Sequence, residues 1–263
     1  MNKKLTFIDL FCGCGGFTLG MQRAGFECLA AIDFNSEAVT VFRANFPDIS
    51  HALEQDLVAF SPKDLSAIIK TSRVDVIVGG PPCQGFSTAR QRDGANNGKR
   101  IVDDHRRNLY QEFLKYVKFF QPKVFVMENV LGIRSAAEGK YFRRMQNEAR
   151  ALGYRVHPQM ENAYELGVPQ KRKRQLFIGT RIDLAAYFHG PLKRVLHVKH
   201  FPSLWEAIGD LPPLEAGKGI EKDNYDMGRR QSHVERFGRN FLYDMLEVHH
   251  SKKLTAHCAR PHS

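Results

Sequence analysis

Short apolar runs alternate with amphipathic stretches through the first 180 residues. Six runs rich in β-branched and aromatic residues predict strands: 5–11 (LTFIDLF), 27–33 (ECLAAID), 74–80 (VDVIVGG), 123–129 (KVFVMEN), 154–160 (YRVHPQM) and 175–180 (QLFIGT). Helical stretches fill the gaps. Residues 35–46 open on an Asn-Ser cap signal, and 108–120 repeats apolar residues at three- and four-residue spacing until Pro122 stops it. Strand and helix in alternation predict an α/β fold, a mostly parallel twisted sheet with helices on both faces. The run from 87 to 107 is polar, glycine-bearing and without period, which predicts a long loop; loops of that length in compact domains usually carry function. After about residue 181 the alternation stops and Pro, Gly, His and charge take over. The expected division is a first domain over 1–180 and a less regular region over 181–263.

Composition narrows the class. A chain of 263 residues with 43% hydrophobic content can bury one sizeable core. No basic segment with an apolar run opens it, and no apolar run approaches the roughly 20 residues that span a bilayer, so a cytoplasmic protein without membrane attachment is expected. The five cysteines, Cys12, Cys14, Cys28, Cys83 and Cys258, are odd in number and form no CxxC pair; reduced thiols and no metal site are expected. Lys+Arg 39 against Asp+Glu 28 gives a net charge of +11, which favours a polyanionic partner without identifying it.

Candidate chemistry sits at the strand ends. The first strand runs into a turn holding Gly13, Gly15 and Gly16, followed by a helix expected from near Phe17. Such a turn lets backbone approach a ligand and offers free N–H groups, but a tight structural turn fits the pattern equally well. Asp33 ends the second strand about twenty residues on, where an acid can accept ribose hydroxyls, and Asp56 is placed to bond an adenine amino group. Each acid alone also reads as a cap or a solvated loop residue. Cys83 follows the next strand behind Pro81 and Pro82; it is either a nucleophile in the crevice at the strand ends or a small inert hydrophobe. Glu128 closes an otherwise apolar strand, where burial would hold it protonated or an arginine would pair with it. Gln170, Arg172 and Arg174 alternate with Lys171 and Lys173 into a strand, so the two guanidinium groups share one face, aimed at a ligand or forming a general basic patch.

Taken in order, DLFCGCGGF, AIDFN, QDL, GGPPCQGFS, FVMENV and GVPQKRKRQLFIG resemble the first eight ordered motifs of the cytosine-C5 DNA methyltransferases, over residues 5 to 180. The resemblance implies a Rossmann-like, S-adenosylmethionine-dependent methyltransferase fold and a double-stranded DNA substrate. It implies that Phe11, Gly13, Cys14, Gly15, Gly16, Asp33, Phe34, Asp56, Leu57, Pro82 and Leu109 surround S-adenosylmethionine. Cys83 would add to C6 of a flipped cytosine, Glu128 would donate to N3, Arg174 would bond O2, and Arg172 would help orient the base. Gln84, Ser87, Arg90, Asn129 and Gln170 would lie along the DNA, Asn129 also fixing the loop, and 87–107 would close as a lid.

The last two family motifs and most of the target-recognition domain are not found in 181–263. The resemblance therefore implies a complementary subunit that carries them, as in a split restriction-modification enzyme, or a truncated form; alone, the chain is expected to bind cofactor weakly and read no sequence. Two other readings stand beside this one. A transfer-RNA cytosine methyltransferase of the same family lacks support because that branch's Cys-Phe-Thr is not found, and an inactive homologue acting as an interaction subunit is opposed by Cys83, Glu128 and Arg174.

Overall fold

The strand and helix signals resolve into a seven-stranded sheet in this computed structural model, which describes residues 4–82, 109–185, 203–237 and 253–258. The strands are β1 (Thr6–Leu10), β2 (Glu27–Asp33), β3 (Ala52–Glu54), β4 (Val76–Gly79), β5 (Val124–Asn129), β6 (Tyr154–Asn162) and β7 (Lys173–Arg181). All six expected strands are present. β3 gave no period to read: it is three residues long and sits at the sheet edge. The order is β3-β2-β1-β4-β5-β7-β6, parallel from β3 through β5, with β7 antiparallel to β5.

The helices are α1 (Gly16–Arg23), α2 (Ser36–Asn45), α3 (Pro62–Ile68), α4 (Leu109–Phe120) and α5 (Lys140–Ala151). Local chemistry sets their starts. Asn35 caps α2 by accepting from the Ala38 N–H at 2.8 Å, and Ser61 with Asp64 forms a capping box on α3, with Pro62 in the first turn. Alternation along β1 then sorts the packing. Ile8 and Leu10 join α3, α4 and α5 in one core, whereas Phe7 and Val78 meet Phe17 and Met21 of α1 on the opposite face. Ala31 and Ala52 pack with Phe42 of α2 and with Phe46 just past its end. Phe125 is fully buried, its ring edge-on to Phe113 at 6.0 Å and to Tyr154 at 5.2 Å. Burying such a ring contributes about 3 kcal/mol, and Gly179 on β7 has no side chain because a Cβ there would overlap this ring.

The chain divides into two compact units, one drawn from residues 1–161 and 173–193, the other from 162–172 and 194–263. The first contains the sheet. The second holds α6 (Leu204–Ile208), α7 (Met227–Phe237) and the antiparallel pair β8 (Gly219–Asn224) and β9 (Lys253–Cys258). Ser203 and Glu206 cap α6, and His233 of α7 reaches the Glu206 carbonyl at 3.1 Å. Among the described residues no helix is long and apolar enough to cross a membrane.

Candidate active site

Strand order reverses between β1 and β4, and open α/β sheets bind ligands in the crevice at that reversal, beyond the strands' carboxyl ends. Both β1 and β4 must turn sharply there. Gly79 ends β4 opposite Leu10, where a Cβ would lie 2.2 Å from the Leu10 carbonyl oxygen, so only glycine lets the two strands meet at the crevice floor.

The turn after β1 is built from left-handed residues: Phe11 at φ 59°, Gly13 at 54° and Gly15 at 97°. The two glycines adopt this freely. For Phe11 it costs about 1–2 kcal/mol, and the ring is held in place by packing against the main core; strained residues of this kind cluster at ligand sites. Gly15 also leaves room for the Phe46 ring, 2.2 Å from where its Cβ would be. Asp33 ties the turn to β2. One of its carboxylate oxygens accepts from the Gly13 N–H and the other from the Asn35 N–H, both at 2.9 Å. Next to it Phe34 is 66% exposed, an aromatic face standing free at the strand end.

Asp56, two residues past β3, is exposed and accepts from the Val58 N–H at 2.9 Å, so in this structure it caps its own turn. Leu57 is buried in the main core, Cys14 is exposed in the turn, and Leu109 and Pro82 are half-buried. Burial pushes the thiols of Cys12 and Cys28 up, Cys28 to about 12, which keeps both protonated at neutral pH and unsuited to nucleophilic chemistry.

The other half of the site comes from β5 and β7. Antiparallel pairing sets Glu128 opposite Leu176, which makes Arg174 its diagonal neighbour on the same face. The Arg174 Nε lies 2.6 Å from a Glu128 carboxylate oxygen, a close ion pair whose N–H is not aligned for a hydrogen bond. The paired alternative for Glu128 is therefore the one the structure adopts. Gly80, just past β4, passes so close that its Cβ would lie 3.2 Å from the other Glu128 oxygen. Asn129 is 3% exposed; its amide donates to the Pro81 carbonyl at 3.4 Å and its oxygen accepts from the Val130 N–H at 2.9 Å. Buried here, it clamps the exit of β4 to the exit of β5.

The expected alternation of Gln170, Arg172 and Arg174 does not extend back from the strand. β7 begins at Lys173, and 170–172 form a bend in which the Arg172 N–H bonds the Gln170 carbonyl at 2.9 Å. Gln170 and Arg172 are exposed in that bend. Cys83, Gln84, Ser87, Arg90 and the expected 87–107 lid lie outside the described residues. One residue of interest escaped the sequence reading. Asp9 is fully buried in the middle of β1, and the signal for it was an acid at an inward-facing position of an apolar strand.

A crevice at the β1/β4 reversal, a glycine turn pinned by a strand-end acid, and an antiparallel seventh strand define a Rossmann-like fold of the S-adenosylmethionine-dependent methyltransferases. A family model for C-5 cytosine-specific DNA methylases matches residues 5–246, and the chain belongs to that family. It is 38% identical to the type II methyltransferase M.DdeI of Desulfomicrobium norvegicum over 95% of this chain and 59% of that protein. It is 33% identical to the type II methyltransferase M.AquIA of a Picosynechococcus strain over 81% of this chain and 90% of that protein. A solved structure described as a DNA modification methyltransferase encoded within an E. coli prophage superposes with a TM-score of 0.67 at 28% identity, covering 85% of this chain and 61% of that one. The chain thus spans a little over half the length of M.DdeI. Membership of the family implies S-adenosylmethionine as methyl donor.

Proposed function

We propose that this chain is the catalytic part of a DNA cytosine-C5 methyltransferase of a restriction-modification system. The observation that carries the reading is the convergence of the glycine turn with Asp33 and the Glu128–Arg174 pair on the carboxyl ends of the same sheet. The residues present fit the cofactor: Asp33 keeps free lone pairs for ribose hydroxyls after accepting two backbone N–H groups, and exposed Phe34 offers a face to the adenosine. When bound, S-adenosylmethionine supplies an electrophilic methyl group.

Every other step belongs to this chain's residues. The Cys83 thiolate adds to C6 of a cytosine flipped from the duplex, forming a C–S bond and leaving C5 nucleophilic. Glu128, in its carboxylic-acid form, donates a hydrogen bond to N3 and so answers the charge that develops there. Arg174 then bonds O2, with Arg172 helping to orient the base. After C5 has taken the methyl group, a base removes its proton and the C–S bond breaks, which frees the Cys83 thiolate. Asn129 holds Pro81, and through it the segment leading to Cys83.

Sequence readout and completion of the cofactor pocket are assigned to a second polypeptide. Support comes from the irregular composition of 181–263. The test is transfer of a tritiated methyl group from S-adenosylmethionine into plasmid DNA, with and without the product of the neighbouring reading frame. Incorporation only with both, abolished by Cys83→Ala, is expected. Glu128→Gln should lower the rate about 100- to 10,000-fold. Incorporation into transfer RNA but not DNA, or full activity of Cys83→Ala, would overturn the reading.

A further inference from the structure

Asp9 lies between Ala31 of β2 and Val78 of β4 in the ladder and is wholly inaccessible to solvent. An isolated carboxylate is among the most costly groups to bury. One of its oxygens accepts from the Thr18 backbone N–H at 3.1 Å and from the Thr18 hydroxyl at 2.7 Å; the other is buried with no hydrogen-bond partner. Thr18 is in the first turn of α1, and the residue before that helix is Gly15, which has no side chain to cap it. Asp9 therefore caps α1 from beneath, out of the neighbouring strand, at the point where the glycine turn becomes helix.

We propose that Asp9 is a positioning residue that holds the glycine turn in its binding geometry and makes cofactor affinity depend on pH. The inference rests on the reading that this turn binds S-adenosylmethionine. Among the described residues the groups acting on Asp9 are Thr18 from α1, Asp33 from the end of β2, and the thiols of Cys12 and Cys28, with no cation among them. Burial, set against the Thr18 hydrogen bonds, raises the carboxyl to about 7. Above that pH the ionised form accepts two charge-assisted hydrogen bonds and faces the positive end of α1. Below it the neutral acid accepts more weakly, and the first turn of α1 loosens together with Gly13–Gly16.

Binding of S-adenosylmethionine and of S-adenosylhomocysteine to the full chain, measured by calorimetry between pH 6 and 9, tests this. Affinity for both should fall roughly fivefold from pH 8 to pH 6, and Asp9→Asn should remain at the low-pH level throughout. A fall confined to S-adenosylmethionine would overturn the positioning role, because it would mark an effect of field on the sulfonium alone. Asp9→Asn that follows the native pH profile would also overturn it. Thr18→Val provides a second variant: it removes the hydroxyl that lowers Asp9, so the midpoint should rise, and Thr18→Ser should restore it. An unmoved midpoint would count against the proposal. Absence of binding at every pH, both by the native chain and by the chain together with the product of the neighbouring reading frame, would overturn the cofactor reading and the coupling with it, whereas pH-independent binding would overturn the coupling alone.

Thermal unfolding without cofactor supplies an independent readout. A carboxyl raised in the folded state makes the native protein lose stability as pH climbs from the unfolded value near 4 to about 7, after which the loss is complete. The gap between Asp9→Asn and the native chain should open across that window and stay flat above it; a constant gap would overturn the assignment.

Discussion

The two units bury charge in opposite ways. In the first, the buried described residues are overwhelmingly aliphatic and aromatic, and the one fully buried acid among them, Asp9, is answered by a helix N-terminus and a threonine. In the second, the buried described residues are Ala207, Gly209, Asp210, Arg230 and His233, and the charge centre is an ion pair. The Arg230 Nε stands 4.0 Å from an Asp210 oxygen, and its guanidinium lies 4.1 Å over the Tyr225 ring. Larger apolar side chains there, Leu204, Trp205, Ile208 and Met227, are exposed. The difference teaches that the sheet unit is held by hydrophobic burial, whereas the described part of the second unit buries a charged pair, which is costlier to break than it is stabilising to keep.

The largest effects test the two centres directly. Phe125→Ala should destabilise the sheet unit by about 3–5 kcal/mol, read from urea unfolding followed by circular dichroism. Asp210→Ala, which leaves Arg230 buried without its carboxylate, should cost about 3–5 kcal/mol, with lost hydrogen-exchange protection confined to α6 and α7. Protection lost equally throughout the sheet would break the comparison. Gly15→Ala should cost about 1–3 kcal/mol, since the new methyl meets the Phe46 ring, and cofactor affinity should fall with it. The smallest effect is expected at Trp205→Ala, under about 1 kcal/mol, because that side chain is 54% exposed. A cost of several kcal/mol there would mean that the second unit has an apolar core after all.

Much of the first unit was legible because its signals are local. A strand such as Val124–Asn129 announces itself in consecutive residues, and Asn35 caps α2 from the position directly before it. β3 and α3 had no bounds to read, because three residues carry no period and the capping box of α3 precedes a helix of only seven residues. The alternation read over Gln170, Arg172 and Arg174 is shortened for a different reason. Alternation assumes extended backbone, and the bend at 170–172 interrupts it.

By itself, then, the sequence determined the succession of elements, the glycine turn, and which residue types stand at the strand ends. Each of these is a property of neighbours along the chain. Only the tertiary structure decided which of those residues meet. Glu128 and Arg174 are far apart in sequence and become diagonal partners through the antiparallel register of β5 and β7. Asp9 is only an acid in an apolar strand until α1 folds back and brings Thr18 over it. Register and helix docking are set by packing across the whole sheet, and no local pattern encodes them.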